Sequence, residues 1–196
     1  MSTTAPLKPK EPPVLNLPNY LTASRLVLGV VLFVLIHHEQ WIWSNACFAL
    51  AAVTDYLDGY FARKQGLSST LGRNFDPLVD KVVVCGAYIF LVPVPDSGLT
   101  PWMAVVVMSR EMIITSLRSF LENLGATFGA DWLGKIKMVL QCAALFAIFT
   151  TLRFPNDTCV LIRDLIIWSM LAATAISGLQ YLWRAFVLFR KDDMLG

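Results

Sequence analysis

Residues 55–80 read DYLDGYFARKQGLSSTLGRNFDPLVD, a stretch that sets four aspartates, Asp55, Asp58, Asp76 and Asp80, between long apolar runs. Asp55 and Asp58 are three residues apart and Asp76 and Asp80 four apart, so on a helix each pair shares a face. Between the pairs, KQGLSSTLGRNF has the glycine and serine content of a connection. Asp76 followed by Pro77 has the form of a helix N-cap with proline at the first helical position. The stretch therefore reads as the end of one helix, a turn and the start of the next, with both carboxylate pairs at the same end.

Working outward, apolar stretches fall at 21–38, 44–63, 77–93, 101–121, 132–152 and 160–186. A spanning helix needs about 20 mostly apolar residues. The 196 residues are 56% hydrophobic and 15% charged with a mean hydropathy of +0.60, against about 25% charged in ordinary soluble domains. The expectation is an all-α integral membrane protein with six transmembrane helices in one domain over 14–190. Residues 14–20, VLNLPNY, read as a short interfacial segment, and the proline-rich 1–13 as a disordered cytosolic tail. Cys47, Cys85, Cys142 and Cys159 form no CxxC pair and read as packing residues. A formal net charge of +2 gives no electrostatic basis for nucleic-acid binding. Nearly all lysines and arginines fall at or near one side, and only Arg153 and Arg163 at the other. Basic residues are retained in the cytoplasm, so both termini and the aspartates are expected there, in a multi-pass protein of the cell (inner) membrane.

Unpaired carboxylates in apolar helices are costly and ordinarily mark function. Four of them aimed at one point would repel one another unless cations neutralise them, and clustered hard oxygens suit magnesium, manganese or calcium. Salt bridges to Arg63, Arg73 and Lys81, or helix capping, are the plainer alternative, but one cap at Asp76 does not account for the other three. Gly59 inside a helix costs roughly 1 kcal/mol against alanine. Its presence there points to a close approach to the backbone or to tight helix packing through small residues.

The pattern Asp55-x2-Asp58-Gly59-x2-Ala62-Arg63-x8-Gly72-x3-Asp76-x3-Asp80 resembles, at all its fixed positions, the signature of the CDP-alcohol phosphotransferases, membrane enzymes of lipid synthesis. The resemblance implies phosphoryl-group transfer from a CDP-linked donor to an alcohol, with release of CMP. By the same resemblance, Asp55, Asp58, Asp76 and Asp80 hold two divalent cations, Mg2+ or Mn2+, and Asp80 is also the catalytic base. Asp58, Gly59, Ala62, Arg63 and Gly72 would contact the CDP moiety, and a homodimer is implied. LPNYLTASRL at 17–26, SREMIITSLR at 109–118 and GKIKMVLQ at 134–141 look like the phosphatidylglycerophosphate synthase branch, with Met138 where threonine is frequent. That branch implies CDP-diacylglycerol as donor and sn-glycerol 3-phosphate as acceptor.

A phosphorylated acceptor needs a cationic pocket. Candidates are Arg25, Arg110, Arg118, Lys135 and Lys137, of which Arg110 lies too deep in its span to reach the interface easily. Other acceptors within the family, inositol phosphate or phosphatidylglycerol for cardiolipin synthesis, are the alternatives. A divalent-cation transporter is a competing class, disfavoured because the carboxylates sit at one side rather than at the midplane and no paired broken helices suggest alternating access.

Overall fold

The computed structural model describes residues 17–65, 70–123 and 132–192, and side chains for 24–54, 79, 81–119, 132 and 134–187. Six helices follow in order: α1 (Leu17–His37), α2 (Trp41–Gln65), α3 (Thr70–Leu91), α4 (Pro101–Asn123), α5 (Trp132–Arg153) and α6 (Asp157–Asp192). Among the described residues there is no strand. The described connections, 38–40, 92–100 and 154–156, are short, which makes the helices they join antiparallel neighbours. The starts of α1, α3 and α5 therefore lie at one end of the bundle with the ends of α2, α4 and α6.

Long apolar side chains at helical spacing explain the core. Leu32, Ile36, Tyr88, Leu91, Val107, Leu145, Phe149 and Met170 are fully or almost fully buried where helices meet. α1 packs on α2 and α3, α5 on α2 and α6, and α6 on α4. The outside is equally apolar. Val27, Trp43, Trp102, Met112, Val139, Trp168, Leu179 and Trp183 are all exposed, a surface that water does not tolerate over such an area. This chain has the exterior of a membrane protein.

Two described helical segments, Gly134–Arg153 and Asp157–Val187, are long and apolar enough to cross a membrane. Ser24–His37, Trp41–Thr54 and Lys81–Leu91 offer shorter apolar lengths. The six expected spans are thus matched by six helices, but not by six uniformly apolar ones. Three of the helices also carry charge: α2 closes on Asp55, Asp58, Arg63 and Lys64, α3 opens on Arg73, Asp76, Asp80 and Lys81, and α4 carries Arg110, Glu111, Arg118 and Glu122.

Other boundaries also move. Residues 17–20, expected in a separate interfacial segment, form the first turn of α1. Pro18 is accepted there because the first turn's N–H groups have no helical partner. Residues 14–16 and the expected tail at 1–13 lie outside the described residues. The expected N-cap at Asp76 is also corrected, because α3 already starts at Thr70 and runs through Pro77. Ser69 and Thr70 are themselves capping residue types, and a proline inside a helix removes one backbone hydrogen bond without necessarily ending it. Of the expected connection, 64–65 and 70–75 are helical, and 66–69 lie outside the described residues.

Candidate active site

Asp55 and Asp58 occupy the last three or so turns of α2, and Asp76 and Asp80 the first three or so of α3. Gln65 and Thr70 are five residues apart, so the chain holds these two helix ends within about 17 Å of each other. Both carboxylate pairs therefore belong to one end of the bundle. Their side chains, with those of Gly59, Ala62, Arg63 and Gly72, lie outside the described residues. Among the described residues no group of three His, Cys, Asp or Glu is placed to hold a metal ion. The donor set itself, four carboxylates on two helices, has the hard oxygen chemistry that suits divalent Mg2+ or Mn2+.

At the same end, α4, α5 and α6 build a buried polar network. Glu111 on α4 is 7% exposed and Lys137 on α5 only 5%. Glu111 Oε1 accepts hydrogen bonds from Lys137 Nζ, from Arg110 NH1 at 3.1 Å and from Gln141 Nε2 at 3.5 Å. The other arm of Arg110 donates to Ser177 Oγ on α6 at 3.1 Å. Arg118, one face further along α4, donates to the Tyr181 hydroxyl at 2.7 Å. Arg110 and Arg118 both lie over the Tyr181 ring, 5.9 and 5.5 Å from its centroid. The Tyr181 hydroxyl also meets the start of α5, where a Cβ on Gly134 would stand 3.9 Å away. Lys81, the residue after Asp80, is within Coulombic range of Glu111, Arg110 and Arg118. The network therefore lies near the stretch of α3 that follows the aspartates.

The five expected acceptor cations fall into two groups. Arg110, Arg118 and Lys137 gather around Glu111 and Tyr181. Arg25 and Lys135 share the wall of a cavity of about 750 Å³ between α1, α2, α3 and α5. Its remaining lining is almost wholly apolar, with Phe48, Val83, Val84, Met138, Val139 and Phe146 among it. Arg25 is 3% exposed, whereas Lys135 reaches the surface. A cavity with a cationic rim and an apolar body is matched to an amphiphile with an anionic head.

Sequence reasoning gave no role to Glu111, Gln141, Ser177 or Tyr181. Glu111 had a signal, since a second charge beside Arg110 in an apolar helix needs a buried partner. The pairing of 110 with 177, and of 118 with 181, has none in one sequence.

The family model for CDP-alcohol phosphatidyltransferase matches residues 15–179. A relative from Bacillus subtilis, named CDP-diacylglycerol–glycerol-3-phosphate 3-phosphatidyltransferase, is 34% identical over 189 residues, covering 85% of this chain and 93% of its own. Relatives of the same name from Sodalis glossinidius and Rickettsia typhi are 32% and 30% identical. They cover 87% and 85% of this chain, and 95% and 94% of their own.

Proposed function

Because the chain belongs to the CDP-alcohol phosphatidyltransferase family, we propose that it transfers the phosphatidyl group of CDP-diacylglycerol to sn-glycerol 3-phosphate, giving phosphatidylglycerophosphate and CMP. The observation that carries the acceptor is the similarity to relatives of that activity's name along 85% or more of this chain. The cationic network of α4 to α6 supports it, because a phosphorylated alcohol is what such a pocket takes.

The acceptor hydroxyl attacks the lipid-bearing phosphorus, the bond from that phosphorus to the CMP oxygen breaks, and CMP departs. Asp80 accepts the hydroxyl proton, a role open to a carboxylate placed within hydrogen-bond reach of it. Divalent cations, which this family uses, neutralise the donor's pyrophosphate when bound. In our reading there are two, magnesium or manganese, held by Asp55, Asp58, Asp76 and Asp80. Asp58, Gly59, Ala62, Arg63 and Gly72 receive the CDP moiety, the glycines by letting it approach the backbone. Arg110, Arg118 and Lys137, with Arg25 and Lys135 toward the apolar cavity, hold the acceptor phosphate and keep its hydroxyl oriented.

The same reading puts all six helices across the cell (inner) membrane, with the site and both termini cytoplasmic, in a homodimer. Residues 14–190 form the membrane domain and 1–13 a cytosolic tail. The test is CMP release by purified protein with CDP-diacylglycerol and a panel of acceptors. Glycerol 3-phosphate should far outperform glycerol, inositol phosphate and phosphatidylglycerol. Preference for any of these overturns the acceptor and keeps the family. Metal uptake into vesicles without CMP release would instead support a transporter.

A further inference from the structure

Glu111 stands out because one carboxylate oxygen gathers three donors, Lys137 Nζ, Arg110 NH1 and Gln141 Nε2. Two of these partners are fixed from another side. Gln141 belongs to a turn of α5 whose carbonyl accepts from Tyr88 Oη on α3 at 2.8 Å. Arg110 is held through its second arm by Ser177 of α6, and a Cβ on Gly178 would lie 3.4 Å from Arg110 Cγ. A single acidic side chain thus links α4, α5 and α6 through two cations that the proposed function assigns to the acceptor phosphate, and reaches α3 through Gln141.

Arg110 Nε is buried and has no hydrogen-bond partner among the described residues. A buried donor without an acceptor is unfavourable, and a phosphate oxygen is the acceptor that would complete it. Lysine and arginine side chains also carry many rotamers. Two such cations close together repel each other and would leave a phosphate to meet a disordered pair. Glu111 removes both problems at once by fixing the two cations and cancelling one of their charges.

We propose that Glu111 is the positioning residue of the acceptor pocket, holding Arg110 and Lys137 in the geometry that recognises a phosphate monoester. The inference rests on the glycerol 3-phosphate reading. Glu111 touches neither the reacting phosphorus nor the nucleotide in this scheme, so its loss acts through the acceptor alone.

The experiment measures KM for each substrate, and inhibition by inorganic phosphate against the acceptor, in wild type, Glu111→Gln and Glu111→Asp. Glu111→Gln keeps the shape and removes the charge, and it should raise KM for glycerol 3-phosphate about tenfold or more. KM for CDP-diacylglycerol should stay within about twofold, and inorganic phosphate should lose potency in parallel with the acceptor. Glu111→Asp should fall between the two. Should Glu111→Gln fail to fold, Glu111→Asp decides by the same readouts. A fall in kcat or thermal stability with both KM values unchanged, or an equal rise in both, overturns the inference and marks Glu111 as structural. A wild type that does not use glycerol 3-phosphate overturns the function instead, so the two failures are distinct.

Discussion

Arg118 donates to the Tyr181 hydroxyl and lies over the same ring, which leaves the rest of its guanidinium free to meet an anion. A charged hydrogen bond to phosphate is worth roughly 1.5 to 3 kcal/mol, so Arg118→Ala should raise KM for glycerol 3-phosphate by about ten- to a hundredfold. The donor's KM should barely change, and initial-rate kinetics with each substrate varied in turn will show it. For the carboxylates, Asn at Asp55, Asp58 or Asp76 should abolish turnover, as should a chelator in wild type, with magnesium or manganese restoring only the latter. Asp80→Asn should lower kcat by about 10²- to 10⁴-fold at saturating metal, the loss expected of a missing general base. Full rescue by excess metal would leave Asp80 as a ligand alone. In the sequence these aspartates stand out because acids are costly in apolar helices, and their side chains lie outside the described residues. Glu111 does not stand out, because a buried acid's meaning depends on partners 26 and 30 residues away on α5.

Where α1 meets α3, two glycines let the helices approach closely. A Cβ at Gly29 would lie 2.8 Å from Val83 Cγ2, and one at Gly86 would lie 2.7 Å from Phe33 Cε1. Phe33 cannot swing clear easily, since its ring stacks on Phe90 with centroids 5.0 Å apart and planes 4° from parallel. Gly86→Ala should therefore destabilise the bundle by about 1–3 kcal/mol, the usual cost of overpacking. Thermal unfolding in detergent measures this, and an unchanged melting temperature would show that the ring gives way. Elements of this kind were mostly readable from apolar runs bounded by breakers. α3 was the exception, since Asp76-Pro77 has the local form of a helix start whereas the helix begins at Thr70 and runs through both residues. α6 was underestimated for the opposite reason: its 36 residues end in the charged Arg190, Lys191 and Asp192, which a hydropathy reading trims away although they suit a helix in water.

For the molecule as a whole, the three described connections at 38–40, 92–100 and 154–156 lie at the end opposite the site. The longest of them, 92–100, is pinned to α6 by Arg163, which bonds the Asp96 carbonyl and pairs with Asp164 at 2.8 Å. In intact cells, a membrane-impermeant thiol reagent should label Glu39→Cys above the wild-type background and leave Trp132→Cys untouched. A reporter after Gly196 should be cytoplasmic. Labelling of the second variant alone would invert the orientation. Composition made the membrane legible, while charged residues interrupt the apolar runs of α2, α3 and α4.

A site gathered at one end of the bundle has a consequence for the bilayer. In the function proposed above, a water-soluble acceptor enters from the aspartate-bearing end, and product is released beside it. Every turnover then enlarges one monolayer and not the other. Growth of the opposite leaflet depends on a separate step that carries lipid across, and synthesis without that step would bend the membrane through the area difference it creates.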